Sequence, residues 1–107
     1  MSYYLGIDVG GSAIKGVLAD EKGNIIAEEQ VSYIIAHEYV GWAEQDAELW
    51  WQGAKKILQT CVKANPKVKD ELQGIMICGM VPNLVPIDSQ GELIRPAILY
   101  RDNRSLE

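Results

Sequence analysis

The sequence predicts an α/β domain: three antiparallel strands, a helix, then a strand parallel to the first, incomplete and with an added β-hairpin. Three observations carry this. Residues 3–8, 13–20 and 25–33 are apolar or alternating runs joined by short links, and links that short join antiparallel neighbours. Residues 47–64 repeat apolar side chains at helical spacing, which marks one buried helix face. Gly74-Ile75-Met76-Ile77-Cys78 is unbroken in its apolar character, as suits a strand covered on both faces.

The first strand runs into the most informative stretch, Leu5-Gly6-Ile7-Asp8-Val9-Gly10-Gly11-Ser12, and a second apolar run starts at Ala13. Glycines let the backbone adopt positive φ and approach a ligand closely. A concave set of bare N–H groups binds anions, phosphate above all. Asp8 beside bound phosphate makes chemical sense when a cation lies between them, and Mg²⁺ is the usual one. Gly-Gly and Gly-Ser are equally ordinary hairpin connectors, so on these eight residues a phosphate turn and a plain hairpin stand side by side.

Asp20-Glu21-Lys22-Gly23-Asn24 has the composition of a hairpin loop between the second and third strands. Residues 34–45 read as irregular around Gly41 and Trp42. His37, the single histidine, lies there without a catalytic partner nearby and is expected at the surface. Asp46 is placed to cap a helix from Ala47 to Ala64. Trp50, Ala54, Ile57, Leu58 and Cys61 form its buried face, while Trp51, one position round, is expected over a loop or an interface. Asn65-Pro66 ends the helix, since a residue before proline disfavours the α region. After the strand at 74–78, residues 84–87 and 92–94 flank Asp88-Ser89-Gln90-Gly91 as a second hairpin, and Pro86 and Pro96 make both arms edge-like.

At 107 residues, 48% hydrophobic and 23% charged, the chain is within one-domain size and can bury a modest core. The net charge of −5 and the scattered basic residues exclude the clustered footprint of a nucleic-acid binder. Lys55, Lys56, Lys63, Lys67 and Lys69 gather around the helix as a solvated face. No apolar run approaches a membrane span, and Met1-Ser2-Tyr3-Tyr4 carries no basic signal-peptide start. Cys61 and Cys78 are expected as reduced core residues rather than a disulfide or a metal pair. A cytoplasmic location fits these features.

In this order the elements open a ribonuclease H-like domain, the fold of the actin-like ATPases. The chain resembles the N-terminal part of the FGGY carbohydrate kinases, in particular the xylulokinase-like members. Four motifs carry the resemblance: Gly6–Ser12; Trp42-Ala43-Glu44-Gln45-Asp46 with the later Trp50-Trp51; the strand ending at Cys78-Gly79-Met80; and Arg95-Pro96-Ala97-Ile98-Leu99-Tyr100-Arg101-Asp102-Asn103-Arg104. It implies ATP-dependent phosphorylation of a sugar hydroxyl, with ATP and Mg²⁺ as cofactors and a small sugar as partner.

The resemblance implies that Asp8 acts on Mg²⁺ and that Gly10, Gly11 and Ser12 present N–H groups to phosphate. Lys15 either adds charge there or is an exposed residue on an alternating strand. Sugar contacts are expected from Met80, Val81 and Asn83, with Tyr100 as a wall and Asp102 as hydroxyl acceptor. Arg104 either joins them or pairs with Asp102 to hold the segment. The family usually has Thr at Gly11, so a phosphate-binding hydroxyl falls to Ser12 or is absent. Xylulokinase-like members read Gly-Gln-Met-His-Gly where this chain has Gly79-Met80-Val81-Pro82-Asn83, which leaves the sugar open between a pentulose such as xylulose and a related sugar or polyol.

The family's catalytic Asp lies much further along. Residues 1–107 are therefore expected to be a partial N-terminal domain of a longer kinase, inactive alone, with Leu106-Glu107 either a cloning remnant or native. The strand at 74–78 is then an exposed apolar edge that invites self-association. ROK-type sugar kinases, whose Asp-x-Gly-Gly-Thr fits Gly11 better, are an alternative from which the motifs at 42–46 and 95–104 point away. A non-catalytic sugar- or nucleotide-binding module is another.

Overall fold

In the computed structural model, which describes residues 1–106, the chain forms strands β1 (Tyr3–Val9), β2 (Ala13–Asp20), β3 (Ile25–Ser32) and β4 (Glu44–Gln45), helices α1 (Glu48–Ala64) and α2 (Val68–Glu71), then strands β5 (Leu72–Gly79) and β6 (Ala97–Ile98). Four strands make one sheet in the order β3-β2-β1-β5, with β1 antiparallel to β2 and parallel to β5. Strand period two sorts the side chains between its faces. Tyr3, Leu5, Ile7, Ile14 and Leu18 are buried on the helix face. Asp8 pairs across to Cys78 on one side and Lys15 on the other, and Lys15 pairs on to Gln30, so these four form one row on the opposite face.

Helix α1 packs on β2 and β3 through a reciprocal fit. A Cβ on Gly16 would overlap Ile57 Cγ2, and a Cβ on Gly53 would overlap Ile14 Cγ2, both well inside the 3.0 Å that real Cβ atoms respect. Each isoleucine is fully buried in the space a glycine leaves. Trp50, Ala54 and Leu58 pack around this core, as the helical spacing predicts. The N-cap of α1 is Ala47 rather than Asp46, which stands one residue ahead, its Oδ1 accepting the Glu48 N–H at 3.0 Å and its carbonyl the Leu49 N–H. Asn65 turns extended at the other end and donates from Nδ2 to the Tyr3 hydroxyl.

Both loops with an aspartate and a glycine form tight turns by the same means. Asp20 Oδ1 accepts the Lys22 and Asn24 N–H groups, and Gly23 takes φ 85°. Asp88 Oδ1 accepts those of Gln90 and Glu92, and Gly91 takes φ 83°.

Several expectations are corrected. The second hairpin forms only a single bridge, Ile87 to Leu93, in place of two strand arms, and Pro86 in its first arm has no N–H to give to a ladder. The segment at 34–45 is not wholly irregular: Glu44–Gln45 pairs antiparallel with Ala97–Ile98. Helix α2 appears where Pro66 is tolerated ahead of a first turn. Strand β5 is not covered on both faces, since α1 sits over β2 and β3 instead. Ile75, Met76 and Ile77 are 48–76% exposed, and Cys78 is an exposed free thiol rather than a core residue. Only one edge of β5 is paired, which is the apolar edge the sequence anticipates.

Candidate active site

The turn between β1 and β2 is held by its carbonyls. Gly10 donates to the Ala13 carbonyl at 2.9 Å, so its own N–H is occupied within the turn. The Gly10 carbonyl accepts the Tyr33 hydroxyl, and the Gly11 carbonyl accepts Gln45 Nε2 at 3.2 Å. Gln45, itself buried, also donates to the Ile34 carbonyl at 3.0 Å and accepts the Trp50 indole N–H at 2.7 Å. With both carbonyls tied back, the N–H groups of Gly11 and Ser12 donate to no protein acceptor among the described residues. Gly10 is required by space, because a Cβ there would lie 2.9 Å from the Ala13 carbonyl oxygen. Neither Gly10 nor Gly11 needs positive φ.

Asp8, Gly10, Gly11, Ser12, Lys15 and Gln30 line a cleft of 270 Å³ on the sheet's outer face. Asp8 and Lys15 are both exposed there. Burial, and then the nearby Asp8 charge, push the Tyr33 phenol up to about 12. It therefore stays a donor to Gly10 at any ordinary pH. Local desolvation, followed by the Asp8 charge and a hydrogen bond to it, raises the Cys78 thiol, which keeps that sulfur protonated beside the carboxylate. No group of three or more His, Cys, Asp or Glu gathers to hold a metal among the described residues. Asp8 alone fits Mg²⁺, which commonly takes one or two carboxylates and completes its shell with phosphate oxygens and water.

A second cleft, of 390 Å³, lies on the helix side of the same strand ends, lined by Val9, Trp50, Ile77, Cys78, Gly79, Met80, Val81 and Asn83. The Met80 N–H donates to the Val9 carbonyl at 3.2 Å, carrying the loop past the turn, and Val81 is fully in the open. Asn83 Oδ1 accepts the Tyr100 N–H at 2.9 Å, which ties the 95–104 segment to this cleft.

Asp102 and Arg104 form the pair that the sequence left open. Arg104 donates from Nε to Asp102 Oδ1 at 2.9 Å and from Nη2 to Oδ2 at 2.7 Å. The Arg104 and Ala43 N–H groups fill the remaining acceptor positions of that carboxylate. The paired guanidinium, chiefly, holds the Asp102 carboxyl far below the usual carboxylate range. Arg104 also stacks on Trp42, 3.7 Å from its ring centre, and reaches Glu44, where Arg95 converges. The second and fourth sequence motifs are thus one ion-paired assembly across β4 and β6.

Tyr33, Gln45 and Arg101 escape a reading by motif. Gln45 lies inside a quoted motif, yet its pattern position says nothing about which carbonyls it meets. Tyr33 ends an ordinary strand run. The Arg101 guanidinium lies over Gly11, with Nη2 3.7 Å from the point a Gly11 Cβ would occupy, and Met80 Sδ is equally close to that point.

A strand-turn-strand with pinned carbonyls, on a sheet of this order, defines the class: a ribonuclease H-like domain of the actin-like ATPase type. The model of the FGGY family of carbohydrate kinases, N-terminal domain, matches residues 3–107, and the chain belongs to that family, which sets the ROK alternative aside. It is 37% identical over 105 residues to the xylulose kinase of Staphylococcus xylosus, covering 98% of this chain and 21% of that protein. Among solved structures it is similar to one described as a xyloylose kinase from Brucella ovis, with TM-score 0.88, 30% identity, and coverage of 96% of this chain and 22% of that one. It is also similar to one described as a gluconate kinase from Lactobacillus acidophilus, with TM-score 0.83, 29% identity, and coverage of 95% and 20%. The chain spans about a fifth of the length of these relatives. Among the described residues no helix is long and apolar enough to cross a membrane.

Proposed function

We propose that this chain is the partial N-terminal domain of an ATP-dependent sugar kinase, supplying its first phosphate turn and part of its sugar pocket. The observation that carries the reading is the turn itself. Tyr33 and Gln45 take its carbonyls, leaving the Gly11 and Ser12 N–H groups for an anion beside Asp8 and Lys15. Phosphoryl transfer relies on positioning and on charge stabilisation rather than on covalent chemistry by the protein, and fixed donors of this kind supply both. Mg²⁺, when bound, would neutralise phosphate charge next to Asp8. Lys15, in the same row, adds a cation on the other side.

The sugar is proposed to enter the cleft at Met80, Val81 and Asn83, against Tyr100. Asp102 acts through its pairing, as a residue that positions the Tyr100–Arg104 segment. The relatives' names, xylulose and gluconate kinases, support a substrate that is a pentulose or a related sugar or sugar derivative. The base that takes the sugar's proton lies outside residues 1–107 in this reading.

The full-length gene product should transfer phosphate from MgATP to such a substrate, while the 107-residue chain alone should not. Asp8→Asn in the full-length protein should cut kcat by about 100-fold or more with the fold intact by circular dichroism. Unchanged turnover in that variant, or turnover by the short chain, would refute the assignment.

A further inference from the structure

Trp50, in the first turn of α1, belongs to two places at once. It lines the 390 Å³ cleft with Val9, Ile77, Met80 and Asn83. It also packs against both apolar clusters of the domain, the one beneath the sheet and the one formed by Ala43, Ala97 and Leu99. Its indole N–H is given to Gln45 Oε1 at 2.7 Å. The same Gln45 amide donates from Nε2 to the Gly11 carbonyl at 3.2 Å and to the Ile34 carbonyl at 3.0 Å. A wall of the cleft proposed for the sugar is therefore two hydrogen bonds from the turn proposed for phosphate. Neither Trp50 nor Gln45 lines the phosphate cleft itself.

Tryptophan suits such a relay, because it joins a broad apolar ring to a single N–H donor. The Gln45 side chain is fully buried, and its amide is matched in one orientation only. Turned over about its last bond, it would set Oε1 against two carbonyls and its NH₂ against the indole N–H. The satisfied arrangement is the one that holds the Gly11 carbonyl. If Trp50 leaves its rotamer, Oε1 is stranded without a donor in a buried place, which is costly, and the hold on Gly11 loosens with it.

Building on the kinase reading above, we propose that Trp50 is a positioning residue that couples the two clefts, so that a sugar packed on Trp50 raises the affinity of the phosphate turn for MgATP. A ligand shifts an equilibrium only by binding one state better than another. The rotamer that walls the cleft is also the rotamer whose N–H reaches Gln45. A sugar packed on that wall favours the state in which Gln45 holds Gly11, and less ordering of the Gly11 and Ser12 N–H groups is left for the nucleotide to impose. By linkage, MgATP tightens the sugar by the same factor.

The test uses the full-length protein with its Trp50→Phe and Gln45→Leu variants and the double variant. The Kd of the Mg²⁺ complex of AMP-PNP, a non-hydrolysable ATP analogue, is measured by calorimetry without and with saturating D-xylulose, and the ratio of the two is the coupling factor. The parent should show a factor of about 5 or more. Trp50→Phe keeps an aromatic wall without the N–H, and Gln45→Leu breaks the other end of the relay, so each should bring the factor below about 2, with no further fall in the double variant. A role confined to packing in the cleft wall would weaken D-xylulose itself and leave the factor at the parent's value.

A parental factor in Trp50→Phe or in Gln45→Leu would overturn the proposal. So would a factor near 1 in the parent, whether D-xylulose binds or not. Phosphorylation of D-xylulose by that same parent would leave the kinase reading standing, and its absence would count against that reading as well.

Discussion

Replacing Gln45 with leucine removes the amide that ties the Gly11 carbonyl of the turn to the domain while keeping most of the buried volume. Leucine is close to glutamine in size, so little volume is lost and the effect reports on hydrogen bonding. Three groups lose their partner: the Gly11 carbonyl, the Ile34 carbonyl and the Trp50 indole N–H. Each buried polar group left unpaired costs about 1–3 kcal/mol. Not all three stay dry, because Gly11 is half-buried and Ile34 exposed, and water can reach their carbonyls. With one group at full cost and two discounted, the expected loss is about 3 kcal/mol. A domain of this size holds a total of only about 5–15 kcal/mol, so the loss is large.

Gln45→Glu separates the donor from the shape. Its carboxylate can still accept the Trp50 N–H, but it turns an oxygen toward two carbonyls, so it should be less stable than the leucine variant at neutral pH. Urea denaturation at low micromolar protein, followed by tryptophan fluorescence, measures both. A leucine variant within about 0.5 kcal/mol of the parent would show that Gln45 does not hold the turn. A glutamate variant as stable as the parent would contradict the placement of the amide donor.

Gly53→Ala pits two effects against each other: the helix gains about 1 kcal/mol in propensity, while the overlap with Ile14 costs about 1–3 kcal/mol as overpacking. The fit of α1 on β2 makes the second win, and a stabilised variant in the same urea assay would mean the two elements part easily. Tyr33 has a folded-state pKa raised above the ordinary tyrosine value, so its contribution is complete below about pH 10 and is lost as pH rises through about 12. Thermal melts between those limits should fall more steeply for the parent than for Tyr33→Phe, and parallel curves would refute the Tyr33 assignment. The exposed edge of β5 should make the 107-residue chain self-associate, with Ile77→Lys shifting it toward monomer in sedimentation velocity. A parent that is already monomeric at high concentration would count against pairing through that edge.

The sheet, the main helix and the glycine turn between β1 and β2 were legible because each rests on a local rule. Period two marks β1 and β2, helical spacing marks the Trp50 to Cys61 face, and Asp46 and Gly23 are punctuation. What stayed hidden depends on partners distant in sequence. Glu44–Gln45 pairs with Ala97–Ile98, and two-residue strands carry no periodicity to detect. Gly53 looks like a weak point in a helix until Ile14 is seen to fill its place. Strand β5 reads as doubly covered because its sequence is uniformly apolar, yet burial depends on what packs against it. Asp102 posed the same difficulty: its residue type suits a sugar hydroxyl or an arginine, and only the geometry shows four donors on its carboxylate.

The overall charge bears on how such a turn must work. A chain of net charge −5 repels a polyphosphate at long range, although physiological salt screens that field beyond about 8 Å. Attraction therefore has to be local. The turn provides it with neutral dipoles, since the Gly11 and Ser12 N–H groups carry no desolvation penalty of the kind a buried lysine would. Such donors are effective only if the backbone cannot rotate to satisfy itself. Tyr33 and Gln45 prevent that rotation by occupying the carbonyls, and the Trp50 indole fixes Gln45 in turn. In the proposed reading Asp8 would then set a condition on the ligand: bare phosphate beside it would be disfavoured, and phosphate accompanied by a divalent cation would not. On that same reading, selectivity for a metal-bound nucleotide would follow from placing one carboxylate next to an anion nest, without any dedicated metal cage.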